Sequence, residues 1–239
     1  MKYIYRDTEI FYEFFDRSAR VTNVYLHGWG CDHKSLLFCD DLFENQNGLF
    51  VDFPPFGESS VPKGWSIFTY ANMLISLCCH LKIKNVNLFG HSFGGRVAIL
   101  FSVLCKNEVE KLILIDSAGL KPKRGLGYYK KVWVYKLKRK LHLDVSNYGS
   151  CDYRALDENM KKVFKSVVNT HLDDFLPFVR AKTLIVFGKD DKVTPAYMAK
   201  RFKRKIKNSQ LVLLEGAGHF CYVDRKIEFV SQLEKFLEG

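Results

Sequence analysis

Hydrophobic residues along this chain form short continuous runs that alternate with longer stretches of helical periodicity. The short runs are rich in β-branched and aromatic residues, which favour strands. They predict strands at 10–15, 21–26, 49–51, 86–89, 112–115, 184–187 and 211–214. The last four runs are apolar at nearly every position, which is typical of strands buried on both faces of a parallel sheet.

The stretches between these strands carry apolar residues at the spacing of one helix face. They predict helices at 34–45, 66–82, 93–106, 195–205 and 224–238. Because strands and helices alternate along the chain, we expect an α/β fold with a doubly wound, mostly parallel sheet.

One segment interrupts this alternation. Residues 121–176 separate two predicted strands, and their pattern is helical, basic and rich in tyrosine. A crossover between parallel strands needs far fewer residues. We therefore expect a helical cap at 121–176, inserted over the carboxyl edge of a sheet that is formed by 1–120 and 177–239. Open α/β sheets bind their ligands at that edge.

The composition is that of an ordinary globular protein: of 239 residues, 47% are hydrophobic and 26% are charged. These values exclude a long disordered chain and a small disulfide scaffold. The cysteines number seven, which is odd, and no pair of them has CxxC spacing. Neither a signal-peptide core nor a membrane span is evident in the sequence. We therefore expect a cytoplasmic protein with reduced cysteines. Cys31, Asp32 and His33 lack further ligands at zinc-like spacing, so no metal site is expected.

The net charge of +11 is concentrated at 121–140, where nine Lys or Arg residues occur without an acidic one. Tyr128, Tyr129, Trp133 and Tyr135 are interleaved with them. A basic aromatic helix can bind anionic membrane or RNA. We favour a lid whose lysines face water, with no nucleic-acid partner and only weak membrane association. If the charge serves a reaction, it would attract substrates that bear carboxylate or phosphate.

The residues Gly90-His91-Ser92-Phe93-Gly94 lie between a predicted buried strand and an apolar helix. In this context the G-x-S-x-G pattern places a serine on a sharp strand-to-helix turn, with its hydroxyl clear of the sheet. The helix N-terminus offers N–H groups and partial positive charge to a developing oxyanion. The pattern and its flanks favour Ser92 as a nucleophile over a capping serine in a glycine-rich turn.

A serine hydroxyl needs a general base near neutral pH. His219 suits that role, because it follows the last predicted strand in a glycine-rich loop. The carboxylate that orients this base is expected in the acidic turn after the strand at 184–187. We choose Asp191 there, and its neighbour Asp190 and the earlier Asp116 stay open as alternatives.

Two backbone N–H groups would complete such a site. The turn His27-Gly28-Trp29-Gly30 closes a predicted strand. We expect the N–H of Trp29 and the N–H of Phe93, which follows the serine, to form an oxyanion hole. The side chain of His27 is expected to be structural.

Taken together, these segments resemble the α/β-hydrolase superfamily over nearly the whole chain. The matching pieces are His27-Gly28-Trp29-Gly30, residues 52–59, 90–95 and 188–195, and Gly216-Ala217-Gly218-His219. They are most similar to small esterases and to meta-cleavage-product hydrolases, which cleave carbon–carbon bonds. The resemblance implies an eight-stranded sheet, a cap between strands six and seven, and the catalytic residues assigned above, in their order serine, aspartate, histidine.

Two features depart from branches of that superfamily. Ser92 argues against dehalogenases and epoxide hydrolases, which use an aspartate nucleophile. Phe220-Cys221-Tyr222 lacks the tryptophan that commonly follows the histidine of the carbon–carbon bond hydrolases.

We therefore expect a serine hydrolase that cleaves an ester or related acyl bond of a small substrate through an acyl-enzyme, without cofactor or metal. Carbon–carbon bond hydrolysis, acyl transfer to an alcohol or thiol, and a non-catalytic binding role stay open, as does the oligomeric state.

Overall fold

A computed structural model describes residues 1–43, 45–125, 127, 133–134, 136–138, 140 and 151–238. Within them, eight strands form one sheet. The strands are β1 (Lys2–Tyr5), β2 (Thr8–Phe15), β3 (Thr22–Leu26), β4 (Asn47–Val51), β5 (Val86–His91), β6 (Val109–Ile115), β7 (Lys182–Gly188) and β8 (Ser209–Leu214).

The spatial order of the strands is β1-β2-β4-β3-β5-β6-β7-β8. β1 and β2 pair antiparallel, as do β2 and β4, and every other pairing is parallel. This arrangement confirms the predicted mostly parallel sheet. The hydrophobic pattern did not predict β1, because this edge strand is short and none of its four residues is buried.

Helices cover both faces of the sheet. In the described part of the chain they include α1 (Ile67–His80), α2 (Phe93–Leu104), α3 (Cys151–Ala155), α4 (Glu158–Asn169), α5 (Ala196–Lys205), α6 (Cys221–Asp224) and α7 (Lys226–Glu238). Buried residues of α1, α2 and α5 form one core cluster with one face of the sheet. Buried residues of α7 and of a 3₁₀-helix form a second cluster on the opposite face. The doubly wound fold is thereby confirmed.

The α-helix predicted at 34–45 is wrong in type and length, since the segment forms a 3₁₀-helix at His33–Cys39. Its buried residues His33, Leu36 and Cys39 recur every three positions, which is the period of a 3₁₀-helix. The chain turns at Asp40, where Arg17 holds the carboxylate in an ion pair of 2.6 Å, and then enters β4.

The sheet brings distant parts of the chain to one edge. Strands β3, β5, β7 and β8 are parallel, and their carboxyl ends lead into the loops that carry the predicted site residues. Trp29 follows β3, Ser92 follows β5, Asp191 follows β7 and His219 follows β8. The parallel topology therefore places these four residues at one edge of the molecule.

Between β6 and β7 the described residues include α3, α4 and a short 3₁₀-helix at Leu176–Phe178. Eight of the twenty residues at 121–140, for which lid and membrane roles were weighed above, lie outside the described residues. They include Tyr128, Tyr129 and Tyr135. α4 buries Met160, Val163 and Val167 on one side. None of the described helices is long and apolar enough to cross a membrane.

Candidate active site

Ser92 lies in a strained turn between β5 and α2. Its backbone angles, φ 48° and ψ −106°, fall in a region that residues with a side chain rarely adopt. Such a conformation costs about 1–3 kcal/mol and persists only where neighbours hold it. Here the Ser92 N–H donates to the Ile115 carbonyl at 3.0 Å, and the Ser92 carbonyl accepts from the Ala118 N–H at 3.0 Å.

The two glycines of the motif allow the backbone to pack closely around this turn. A Cβ atom at Gly94 would lie 2.1 Å from the Leu26 carbonyl oxygen, and one at Gly90 would lie 2.7 Å from the Gly95 Cα. Both neighbours are backbone atoms, which cannot move aside cheaply. The G-x-S-x-G spacing is therefore required by the contact of α2 with β3 and β5.

His219 joins the serine to a carboxylate. Its Nε2 lies 2.9 Å from Ser92 Oγ, and its Nδ1 lies 2.8 Å from Asp191 Oδ2. Because an ionised carboxylate only accepts hydrogen bonds, Nδ1 carries the proton and Nε2 is left to accept the serine hydroxyl. The loop is held in place by His91, whose Nε2 donates to the His219 carbonyl at 2.8 Å, and by Asp224, which accepts from the Gly218 N–H at 2.8 Å.

The Asp191 carboxylate is surrounded by donors. Oδ1 accepts from the backbone N–H groups of Val193 and Thr194, at 2.7 and 3.0 Å. Oδ2 accepts from the Thr194 hydroxyl at 2.6 Å as well as from His219. Burial by itself would raise the pKa of Asp191, but these hydrogen bonds outweigh it and hold the pKa below its ordinary value. The carboxylate therefore stays ionised beside the imidazole.

The two alternative aspartates do not bond His219. Asp116 is buried and accepts from the backbone N–H groups of Gly188 and Cys221, at 2.7 and 3.0 Å, and burial raises its pKa to about 6. It supports the turn that carries Asp191 and the loop that follows His219. The side chain of Asp190 is exposed. Of the three candidates, the structure brings Asp191 to the histidine.

The predicted oxyanion-hole residues border the same cavity as the serine. Trp29 and Phe93 both line it, with their rings edge to face at 5.4 Å. Neither backbone N–H has a hydrogen-bond partner among the described residues. Phe93 is the first residue of α2, where an N–H has no acceptor within the helix. Both N–H groups are therefore available to a ligand.

His27 occupies a structural position under the oxyanion turn. Its Nδ1 donates to the Gly28 carbonyl at 2.7 Å, and its Nε2 accepts from the Phe53 N–H at 2.8 Å. Protonation of Nε2 would place its new N–H against the Phe53 N–H and break this hydrogen bond, so the neutral ring is favoured. Burial lowers the pKa of His27 to about 4, and burial likewise lowers the pKa of His91 to about 3.

These two histidines predict acid-sensitive folding. In the unfolded chain each binds a proton near pH 6.5, so the unfolded state holds more protons between that pH and the folded pKa. The free energy of unfolding should fall as pH is lowered from about 6.5 towards 4, by on the order of 3 kcal/mol from His27 alone. Urea unfolding at pH 7, 6, 5 and 4.5 measures this loss.

His27→Gln is the matched variant, because its side-chain amide can accept from Phe53 but does not titrate in this range. We expect it to be less stable at pH 7 and to lose less stability between pH 7 and 4.5. An identical pH dependence in both proteins would contradict the assignment.

A cavity of about 550 Å³ opens beside Ser92 and His219. Its wall is mostly apolar and includes residues of α4 as well as of the sheet loops. The described lining residues further include Arg96, Ala118, Gly119, Leu120, Pro122, Arg124, Phe164, Val167, Val168, Asn169, Val193, Thr194, Met198 and Phe220. A cavity of this size and character can hold a small organic ligand beside the serine.

The residues weighed as a metal site above are used otherwise. The Nδ1 of His33 bonds Asp52 Oδ1 at 2.9 Å, and Asp32 caps the 3₁₀-helix by accepting from the Lys34 N–H. Across the described part of the chain, no three His, Cys, Asp or Glu side chains are grouped as a metal would require.

Three residues near the site were not singled out from the sequence. Thr194 bonds the Asp191 carboxylate, His91 holds the His219 loop, and Arg96 lines the cavity. The spacing of Asp191 and Thr194 is a turn-and-cap pattern that could have pointed to their hydrogen bond. His91 and Arg96 offer no local signal, since their partners are more than seventy residues away along the chain.

The sequence of this chain matches a known protein family. The sequence profile of the Alpha/beta hydrolase family matches residues 24–232. A proline iminopeptidase of Lactobacillus helveticus is 26% identical over 93% of this chain and 92% of its own. A 2-hydroxy-6-oxo-2,4-heptadienoate hydrolase of Pseudomonas putida is 22% identical over 82% of this chain and 80% of its own.

Solved structures share the fold. An esterase from Exiguobacterium antarcticum superimposes with a TM-score of 0.76 at 24% identity, covering 97% of this chain and 96% of that one. At this identity the likeness shows the fold alone. By their names, these similar proteins are a peptidase, a hydrolase of a 2-hydroxy-6-oxo-dienoate and an esterase. The reaction of this chain therefore has to be argued from its own site.

Proposed function

This chain belongs to the alpha/beta hydrolase family, and we propose that it is a serine hydrolase that cleaves an ester or related acyl bond of a small substrate. One observation carries the proposal: Ser92 Oγ, His219 and Asp191 form a continuous hydrogen-bonded chain, with distances of 2.9 and 2.8 Å, that opens on a cavity of substrate size. This is the geometry that a serine needs to become a nucleophile at neutral pH.

In the proposed reaction, Ser92 Oγ attacks the acyl carbonyl while His219 Nε2 takes the serine proton. The leaving alcohol departs with that proton, and an acyl-serine remains. Water, deprotonated by the same imidazole, then attacks the acyl-serine and releases the acid. Asp191 holds Nδ1–H towards itself throughout and stabilises the imidazolium that forms in each step.

The developing negative charge needs donors that are already in place. Phe93 begins α2, and Trp29 lies in the turn after β3. Neither N–H has a hydrogen-bond partner among the described residues, which supports an oxyanion-hole role for both. Such donors stabilise the tetrahedral intermediate more than the substrate, and loss of one typically costs about a hundredfold or more in rate. No step of this mechanism calls for a metal or a cofactor.

We also propose that residues 121–176 act as a lid on a core formed by 1–120 and 177–239. Two contacts of α4 support this division. The Phe164 ring lies 5.1 Å from the Trp29 ring, edge to face, and the Val167 carbonyl accepts a hydrogen bond from Arg96. A lid of this kind would shape the acyl pocket and exclude water during the reaction.

We place the enzyme in the cytoplasm. Every cysteine whose side chain is described is unpaired, including the buried Cys39, Cys78 and Cys221. Burial raises the pKa of the Cys39 and Cys78 thiols above their ordinary value, so these two serve as apolar core residues.

A substrate panel tests the reaction type. We expect p-nitrophenyl esters of short acids to be cleaved, with a burst of nitrophenol equal to the enzyme concentration if deacylation is slow. Proline p-nitroanilide and a 2-hydroxy-6-oxo-dienoate should react far more slowly. Faster cleavage of the anilide or of the dienoate would move the assignment to peptide or carbon–carbon bond hydrolysis, and faster product formation in the presence of an added alcohol would move it to acyl transfer.

A further inference from the structure

The guanidinium of Arg96 is buried in the wall of the catalytic cavity. Arg96 lies one turn into α2 from Ser92, is only 7% exposed, and lines the cavity together with Ser92 and His219. Its Nη1 donates to the carbonyl oxygens of Val167 at 3.1 Å and Thr170 at 2.7 Å. These carbonyls lie at the end of α4, where helix carbonyls lack partners within the helix.

These two hydrogen bonds involve only some of the N–H donors of the guanidinium. A guanidinium has five N–H donors, and Nη1 supplies two of them. Nε and Nη2 keep the other three, and none of these has a protein acceptor among the described residues. Nε–H and one N–H of Nη2 point in parallel from one planar edge, which matches the two oxygens of a carboxylate.

The charge of Arg96 is also uncompensated. It forms no ion pair in the described chain, and the described lining of the cavity contains no aspartate or glutamate. Burial lowers the pKa of Arg96 to about 10, which leaves the side chain protonated at neutral pH. A buried cation without a counterion is unfavourable, and an anionic ligand in this cavity would relieve that cost.

We propose that the substrate carries a carboxylate on its acyl part, which binds the Nε and Nη2 edge of Arg96 while the ester carbonyl lies at Ser92. This inference rests on the proposed serine hydrolase function and narrows it to half-esters of small dicarboxylic acids. Water adds across the acyl C–O bond, so each half-ester yields one dicarboxylic acid and one alcohol. The apolar side chains of Phe164, Val167 and Met198 would hold the chain between the two ends.

The test compares two esters that differ in charge at one end. Mono-p-nitrophenyl glutarate bears the carboxylate, and p-nitrophenyl glutaramate replaces it with a neutral amide of nearly equal size. The wild-type enzyme should favour the anionic ester at least about tenfold in kcat/KM, and Arg96→Met should lower that ratio about 10- to 100-fold. Because Arg96 also bonds carbonyls at the end of α4, its loss should lower kcat/KM for both esters by a common factor. This factor cancels in the ratio of the two kcat/KM values.

Arg204→Met is the matched control, since it deletes a cation from the exposed side of α5 outside the cavity. It should keep the wild-type ratio. A ratio near one in the wild-type enzyme, or an unchanged ratio in Arg96→Met, would overturn the inference while leaving ester hydrolysis intact. If neither ester is cleaved, the proposed reaction itself fails.

Calorimetric titration with glutarate examines the anion site independently of any reaction. Binding to the wild-type enzyme that weakens at least tenfold in Arg96→Met supports the site, and absence of glutarate binding to the wild-type enzyme overturns it.

Discussion

Replacement of Ser92 by alanine should lower kcat for ester hydrolysis by about 10⁴-fold or more, because the only nucleophile of the proposed mechanism is removed. The remaining rate over water would come from the oxyanion hole and substrate binding. Initial rates with p-nitrophenyl esters measure the loss. Ser102→Ala, which removes a serine hydroxyl from the same helix outside the described cavity lining, should leave the rate close to that of the wild-type enzyme.

The conformation of Ser92 provides a second control. Glycine adopts the observed positive φ without strain, so Ser92→Gly should be as inactive as Ser92→Ala but more stable, by about 1–3 kcal/mol. Urea unfolding compares the two variants. A stable variant without activity would show that the loss is chemical, whereas alanine or glycine variants with wild-type activity would contradict the nucleophile assignment.

Replacement of Asp191 by asparagine should lower kcat by about 10⁴-fold with little change in KM. The carboxylate now accepts the Nδ1–H of His219 at 2.8 Å and thereby fixes the reactive tautomer. A side-chain amide facing Nδ1 can donate instead, which would move the imidazole proton to Nε2 and block proton transfer from the serine. Steady-state kinetics at pH 7 to 8 measures the change in kcat and KM.

The adjacent aspartate is a close control. Asp190→Asn removes the same charge from an exposed neighbouring side chain and should keep most of the activity. If Asp190→Asn were the more damaging of the two, the roles assigned from the hydrogen bonds of Asp191 would be wrong.

The choice between these two aspartates shows where sequence reasoning reaches its limit. Both residues belong to the same acidic turn, and the chain order serine, aspartate, histidine holds for either. The conformation of the turn determines which aspartate contacts the histidine. Oδ1 of Asp191 accepts hydrogen bonds from the N–H groups of Val193 and Thr194, and this orients Oδ2 towards His219. The orientation of this carboxylate depends on backbone angles that residue identity alone does not specify.

The strands and the nucleophile turn were predictable because their signals are local. A parallel strand buried on both faces is apolar throughout. The glycines around Ser92 are required because a Cβ atom at Gly94 or Gly90 would lie only 2.1 or 2.7 Å from a backbone atom. β1 and the 3₁₀-helix escaped prediction because one is a half-exposed edge strand and the other has a period of three.

Arg96, by contrast, could not be predicted as a cavity residue from the local sequence. In the sequence it is one polar residue near the start of an apolar helix, as a surface position of that helix would be. Its hydrogen bonds go to carbonyl oxygens at the end of α4, about seventy residues later in the chain. The environment of Arg96 is therefore set by contacts with residues far away along the chain, which no local sequence pattern predicts.

The proposed reaction requires that His219 activates Ser92 at the mouth of the cavity, and a fluorophosphonate probe measures this activation directly. Intact-mass analysis should show one adduct per wild-type chain, and proteolytic mapping should place it on the peptide that contains Ser92. His219→Ala should be labelled at least about a thousandfold more slowly, since the serine then lacks its base. An adduct on another residue, or a folded wild-type enzyme that takes up no probe, would contradict the account.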